Sequence, residues 1–302
     1  MLNFYQEPNC KICGKAGRTV FSKKFDDGLL KTFFKKYYGE KKYENFENYL
    51  KEIDYELLKC NYCKFIWQKY IPKKNFSIDL YENIIDKEES LKKSKKKFEN
   101  QKNSYYKEIK KIISNFKEKK INILDFGAGW GHWLMSGFNL PYDPYAFELS
   151  PSRIRFLSSN EIKILNFETI SSYENFFHYI RLDQVLEHLD EPNNSLSIIK
   201  KLGKDDCIFY ISVPDGSEII NKEYKNLQIE KGPVQPLEHL NCFSKNSLKK
   251  ILDVNGFRPL KFNEIVMMNI KDFKLDLISL KSFLVDIKNY FFSTSIKFKL
   301  KN

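Results

Sequence analysis

The sequence has no apolar stretch approaching the ~18 residues that a membrane-crossing helix requires. Its opening, Met1-Leu2-Asn3-Phe4-Tyr5-Gln6-Glu7, lacks a basic region followed by an apolar one, so neither a transmembrane helix nor a secretory leader is expected. Arginine is scarce: only five of the 51 basic residues are Arg. Base-specific recognition of nucleic acid leans on Arg, so the net charge of +12 is not by itself a sign of it. Nor do the six cysteines form a disulfide framework, because four of them fall in two Cys-x-x-Cys pairs. That is the spacing of a metal site in a reducing compartment, and a cytoplasmic protein is expected. What is present is a globular composition, 42% hydrophobic and 16% aromatic, in 302 residues, enough for one large domain and a small one.

The positive charge is unevenly placed. Between Lys87 and Lys120 there are 13 Lys against 5 Glu, a surplus of +8 within the total of +12. Leu91, Phe98, Tyr105, Tyr106, Ile109, Ile112, Ile113 and Phe116 recur through this segment at roughly helical spacing, which predicts one or two helices over 79–116. A solvated lysine face is the plain reading. A patch for phosphates, of RNA or of a nucleotide-linked substrate, is the sharper one.

Downstream, short apolar runs alternate with helical patterns. Strands are expected near Ile121–Phe126, Tyr145–Glu148, Ile162–Leu165, Tyr179–Leu182 and Cys207–Val213. Helices are expected at Pro151–Ser159, with Ser150 as N-cap and Pro151 in the first turn, and at Asn194–Leu202. Such alternation implies a parallel sheet covered on both faces, with ligands at the carboxyl ends of its strands. A helix over Lys245–Asn255 closed by Gly256, a strand over Phe257–Val266, a helical stripe near 270–292 and an edge strand at Ser295–Leu300 with alternating lysines complete the pattern. The stripe reads as core packing or as a lid.

Two motifs carry chemistry. In Cys10-Lys11-Ile12-Cys13 and Cys60-Asn61-Tyr62-Cys63, separated by 46 residues, four thiolates are spaced to surround one Zn²⁺ tetrahedrally, leaving no open position, so the metal would be structural. In Ile121-Asn122-Ile123-Leu124-Asp125-Phe126-Gly127-Ala128-Gly129-Trp130-Gly131-His132-Trp133, an apolar strand ends in an acid and gives way to glycines at 127, 129 and 131. That grammar places backbone close to a nucleoside ligand at a helix start. The glycine spacing differs from the G-x-G-x-x-G of dinucleotide sites. Glu148 lies 17 residues after Gly131, at the end of the next strand, suited to accept from both ribose hydroxyls.

The run Asp125–Gly131 followed by Glu148 resembles motif I and the strand-2 acid of class I S-adenosylmethionine-dependent methyltransferases. The segment Arg181 to Pro192, containing Asp183-Gln184-Val185-Leu186-Glu187-His188, is similar to that group's stretch after strand 4, and Ile208 to Asp215 to its strand 5. Glu238-His239-Leu240-Asn241-Cys242-Phe243-Ser244, with Ser247-Leu248 and Gly256-Phe257, resembles its active-site loop and helix. Further forward, Leu58 to Cys63 with Pro72, Leu80 and Tyr81 is similar to the zinc ribbon preceding this domain in methyltransferases of sugar and polysaccharide biosynthesis. The implied fold is α/β: a Rossmann-like, seven-stranded, mostly parallel sheet over 119–302 with a helical insertion near 270–292. A zinc-ribbon domain at 1–75 and a helical linker at 76–118 precede it.

By that resemblance Gly127 and Gly129 lie against the amino-acid part of S-adenosylmethionine, with Asp125 near its ammonium. Glu148 takes the ribose, Asn166 meets the adenine amino group and Phe167 flanks the ring. Ala128, Gly131, Leu149 and Gln184 belong to the same set. Acids near the methionine end suit a sulfonium cation. A hydroxyl or carbon acceptor must also lose a proton, and His188, with Glu187, and His239 are the candidates. Quinone-ring O-methyltransferases that share the Glu-His pair have, three residues earlier, an acid that helps bind a divalent metal; here Gln184 stands there, which argues against a catalytic metal.

The leading expectation is methyl transfer to a small-molecule or glycan acceptor, most of all a nucleotide-linked sugar in surface polysaccharide biosynthesis. The alternative is a zinc-ribbon RNA methyltransferase, slightly favoured by the basic segment. The chain lacks an asparagine-proline-proline-aromatic tetrapeptide near strand 4, which argues against methylation of a base amino group. A non-enzymatic binding module with a decayed cofactor domain is opposed by the intact glycines and Glu148.

Overall fold

A computed structural model of the chain describes residues 3–51, 53–221, 229, 232–270, 283–289 and 293–301. It divides into two compact units assembled from interleaved segments: 1–87, 186–193 and 213–254 form one, and 88–185, 194–212 and 255–302 the other. No described helix is long and apolar enough to cross a membrane.

The second unit holds a seven-stranded sheet. Its strands are β1 (Ile121–Phe126), β2 (Tyr142–Phe147), β3 (Lys163–Leu165), β4 (Phe177–Asp183), β5 (Gly203–Ser212), β6 (Phe257–Pro259) and β7 (Ser295–Leu300). They lie in the order β6-β7-β5-β4-β1-β2-β3. The five strands β1 to β5 pair in parallel, and β7 runs antiparallel to both β5 and β6. This is the mostly parallel sheet of class I methyltransferases, as expected. Central strands are apolar on both faces: Ile121, Ile123, Leu124, Ile180 and Leu182 are fully buried. One face is covered by the helix Lys87–Ile113, whose Ile109 and Ile112 join Ile121, Ile123, Trp133 and Leu134 in one apolar cluster. Ser150 caps the helix Pro151–Ser159 by accepting from the Arg153 N–H.

Two expectations for the end of the chain change. The strand over Phe257–Val266 stops at Pro259, and Phe262–Ile270 is a helix. The Glu264 carboxylate accepts from the Lys261 N–H at 2.7 Å and binds Arg258, fixing the helix start. Ser295–Leu300 is not at an edge but lies between β6 and β5. Its lysines serve there by reaching acids: Lys297 pairs with Asp286 at 3.3 Å and Lys299 with Glu264 at 3.7 Å. Most of the stripe near 270–292 lies outside the described residues; within it 283–289 is helical.

The first unit is not the contiguous 1–75 segment expected. Its antiparallel sheet runs Asn241–Cys242, Ile66–Gln68, Asp54–Cys60, Gly17–Lys24, so a strand from far down the chain completes it. Between its first two strands in sequence lie the helices Gly28–Tyr38 and Glu40–Leu50. Leu30, Phe33, Phe34 and Tyr38 recur at helical spacing on the buried face of the first, as do Tyr43, Phe46 and Leu50 on the second. The Asp27 carboxylate caps the first helix through the Leu29 N–H at 3.0 Å. Phe34 packs face to face on both Tyr38 and Tyr43, so aromatic contacts supply much of this core.

Candidate cofactor cleft, cysteine cluster and histidine pair

In the second unit, β1 delivers the chain into a turn that only glycine accommodates. Gly127, Gly129 and Gly131 have φ of +78°, +59° and +67°. They are not equivalent. A Cβ on Gly127 would fall 2.6 Å from Val185, and one on Gly131 would fall 2.3 Å from Leu157, whereas nothing lies within 4 Å of a Cβ on Gly129. The flanking glycines permit packing, and the middle one faces open space. The turn is tied to β2 by the Gly127 N–H, which donates to the Phe147 carbonyl at 2.7 Å.

That open space belongs to a cleft of about 280 Å³ that brings together Asp125, Gly127, Ala128, Gly129 and Gly131. Opposite the turn, the helix Lys87–Ile113 contributes Ser90, Ser94, Lys97, Phe98 and Tyr105 to the lining. It is fastened there by the Trp130 indole donating to Ser90 at 3.1 Å, a Ser94–His132 hydrogen bond of 2.7 Å, and Phe98 stacked on His132. The basic segment therefore has a structural use that its charge did not reveal.

Glu148, at the carboxyl end of β2, accepts from the N–H groups of Gly129 (2.9 Å), Leu149 (2.8 Å) and Ser150 (3.0 Å). Beyond it, Leu149 and Phe167 are 63% and 64% exposed, large apolar surfaces left open at the strand ends, with Phe167 edge-on to Phe147. The Asn166 side-chain oxygen accepts from the Glu168 and Thr169 N–H groups at 3.0 and 2.8 Å. It thereby forms a side-chain turn just ahead of the short helical turn Ile170–Tyr173. Gln184, at φ +57°, follows β4 and donates to the Ser212 hydroxyl at 3.3 Å.

Asp125 is 2% exposed and is engaged with Arg181, whose Nη1 lies 3.2 Å from one carboxylate oxygen and 3.4 Å from the other. The second guanidinium nitrogen meets Asp183 at 2.5 Å. Burial lifts the Asp125 carboxyl above its ordinary range while Arg181 pulls it back. Two acids thus meet one guanidinium here, while Lys97 and Arg153 also line the cleft. Arg181 had no assigned role from the sequence. The signal was there: a charge inside the apolar run Tyr179-Ile180-Arg181-Leu182 needs a partner, and Arg181 is register-paired with Asp125 across β4 and β1.

In the first unit the sulfurs of Cys10, Cys13, Cys60 and Cys63 lie within 4.8 Å of one another. The two knuckles are near copies. In each, the first Cys N–H donates to the carbonyl five residues on (Lys15 at 2.8 Å, Phe65 at 2.9 Å). The residue after the second Cys, Gly14 or Lys64, is left-handed and donates back to the first Cys carbonyl. Four thiols at one point form the donor set of a closed tetrahedral site.

The same unit brings Glu187, His188 and His239 together, again within 4.8 Å. His188 Nδ1 is 2.9 Å from the Glu238 carbonyl and His239 Nδ1 is 2.8 Å from the Gly232 carbonyl. Burial lowers His239 to about 4, so it is neutral at physiological pH. The folded value lies below the unfolded ~6.5, so the unfolded chain binds more protons between the two. Stability is therefore unaffected above pH ~6.5 and falls as pH drops towards 4, by up to about 3 kcal/mol from this group. Denaturant melts at pH 7 and 4 should show that loss reduced in His239→Gln; an identical loss in both proteins would refute the assignment.

Solved methyltransferase structures are similar to this chain at low identity. The complex of the Haloferax volcanii Trm112 methyltransferase activator with a methyltransferase is similar at 10% identity, over 69% of this chain and 96% of that one, with a TM-score of 0.44. A SAM dependent methyltransferase from Archaeoglobus fulgidus is similar at 16% identity over 75% and 97%, with a TM-score of 0.39. One from Aquifex aeolicus is similar at 18% over 50% and 80%, with a TM-score of 0.37. No curated protein matches the sequence. The family model described as methyltransferase domain matches residues 98–261, more than half of the 302 residues, and the chain belongs to that family.

Proposed function

We propose that the chain is an S-adenosylmethionine-dependent methyltransferase acting on a hydroxyl or carbon of a small-molecule or glycan acceptor, with a nucleotide-linked sugar of surface polysaccharide synthesis as the favoured class. The observation that carries the cofactor is the open left-handed Gly129, its N–H held by Glu148, on a cleft that Asp125 also lines. Bound S-adenosylmethionine supplies an electrophilic methyl group on a sulfonium.

The chain's own groups would do the rest. Glu148 offers carboxylate lone pairs to ribose hydroxyls. Leu149 and Phe167 cover apolar ring surface. The Asp125–Arg181–Asp183 group holds its charge where Asp125 and Arg181 are largely buried, so attraction to a cation is stronger than in bulk water. Leu149 and Phe167 are the apolar side chains set to flank the nucleoside, while Asn166 would meet it through its amide nitrogen, since its oxygen is engaged by the Glu168 and Thr169 N–H groups. The four cysteines would hold a structural Zn²⁺. The sugar class rests on the resemblance of the zinc-ribbon arrangement alone.

Titration calorimetry with S-adenosylmethionine tests the reading. Wild-type protein should bind, and Glu148→Gln, which keeps an acceptor oxygen but loses the charge, should bind roughly 10- to 100-fold more weakly, the worth of one or two charge-assisted hydrogen bonds. Absence of heat with the wild type would overturn the enzyme assignment.

A further inference from the structure

We propose that Glu187, His188 and His239 form a second metal site, open to an exogenous ligand and selective for a divalent transition ion. Two segments far apart in sequence build it. The turn Leu186–His188 carries an adjacent carboxylate and imidazole, and the loop before Asn241 carries the other imidazole. His188 Nε2 stands 3.8 Å from a Glu187 carboxylate oxygen, and the two imidazole rings are 4.8 Å apart at 76°. Ligands sharing one ion sit roughly 3 to 3.5 Å apart when each is about 2.1 Å from it. Small side-chain rotations close that difference.

What separates this trio from a chance meeting of polar groups is how it is held. Each imidazole sets its Nδ1 against a backbone carbonyl, which fixes the tautomer and puts the lone pair on Nε2; metal-ligating histidines are oriented in this way. The carbonyls are themselves fixed. Glu238, whose carbonyl meets His188, has its carboxylate bound by the Tyr38 hydroxyl at 2.6 Å and the Gln235 amide at 2.8 Å. Asn241 donates to the carbonyls of Leu186 and Leu189 at 3.1 and 2.7 Å, clamping both ends of the turn that carries Glu187 and His188. Gln68 donates to the His239 carbonyl at 2.9 Å. Rigid supports of this kind cost little further ordering when an ion arrives.

The donor set decides the ion. Two imidazole nitrogens and one carboxylate oxygen suit Zn²⁺, Fe²⁺, Co²⁺ or Mn²⁺, whereas Mg²⁺ and Ca²⁺ favour oxygen alone. Glu187 is 1% exposed, so its charge acts through a low dielectric. The His188 side chain is 26% exposed, which leaves one side of the trio facing outwards. Three protein ligands with an open side are the arrangement of a metal that binds a further ligand, unlike the closed four-sulfur set in the same unit. The site is independent of the methyl-transfer reading.

The test is titration of the full-length chain, its cysteine site loaded with zinc, with Co²⁺. One Co²⁺ per chain should bind beyond the zinc, giving weak visible d–d bands without the intense thiolate-to-cobalt absorption of a cysteine site. His188→Gln and His239→Gln should each weaken that binding at least ~100-fold, and Glu187→Gln, the mildest change in shape, at least ~10-fold. Circular dichroism and melting profiles would confirm that the variants compared are folded, Glu187→Gln serving where a histidine variant is not. No Co²⁺ bound beyond the zinc, or binding undiminished in the folded variants, would overturn the proposal. S-adenosylmethionine binding is measured separately, so either reading can fail with the other intact.

Discussion

Cys60→Ser is expected to leave the first unit unfolded at 25 °C and the chain unable to hold the zinc proposed for the cysteine cluster. Cys60 is the pivot of that unit. It is fully buried, ends the strand Asp54–Cys60, pairs in register with Gly17 of the neighbouring strand, and has its sulfur 3.6 Å from that of Cys13. A four-thiolate site ties the start of one hairpin strand to the end of its partner. Structural zinc contributes on the order of 10 kcal/mol to small units, comparable with the whole stability of a domain. A serine oxygen is a poor substitute for a thiolate, and the remaining three sulfurs would be left close together without the ion that reconciles them. Elemental analysis and near-ultraviolet circular dichroism, with chelation of the wild type as the matching experiment, give the check. A zinc-free chain that keeps the wild-type melting profile would remove the zinc assignment.

The residues that the sequence made legible are those whose constraints are local. The strand Ile121–Phe126 has the expected bounds, because an apolar run ending in Asp125 and a glycine turn admits little else. Ser150 and Pro151 mark a helix start by their own backbone chemistry. What was not legible depends on distant partners. Ile265 to Met268 is a short apolar run equally compatible with strand and helix; Glu264 decides it by capping the Lys261 N–H. The alternation in Ser295–Leu300 correctly puts Ile296 and Phe298 inside, yet alternation says nothing about whether another strand lies beyond. The first unit's composition from three segments follows from the pairing of Asn241–Cys242 with Ile66 and Trp67, which no local pattern announces. The same holds for His239, recognisable as a loop histidine but not as the neighbour of Glu187 and His188 until the chain is folded. Asn166 is legible locally: an Asn two and three residues before the N–H groups of Glu168 and Thr169 favours the side-chain-to-backbone turn that the fold contains.

Substituting alanine for each glycine of the turn in turn is expected to split two roles that the motif superimposes. All three positions are left-handed, so each alanine costs roughly 1 to 2 kcal/mol from the backbone alone. At Gly127 and Gly131 the new methyl also collides with Val185 or Leu157, and overpacking adds about 1 to 3 kcal/mol. Those two variants should lose most of their stability margin. Gly129→Ala meets no protein atom within 4 Å and should fold with only the backbone cost. Its methyl instead occupies the floor of the cleft, beside the N–H that Glu148 holds, where a cofactor would lie against bare backbone. Displacing a bound methyl donor by about an ångström spoils the in-line geometry, and losses of at least ~100-fold in kcat/KM follow from such displacements. Denaturant melts alongside S-adenosylmethionine calorimetry read the two effects separately. Gly129→Ala should melt closest to the wild type and bind worst. If it binds S-adenosylmethionine as the wild type does, the open side of the turn is not the cofactor's side, and the cleft that Asp125 and Arg181 line would need another occupant.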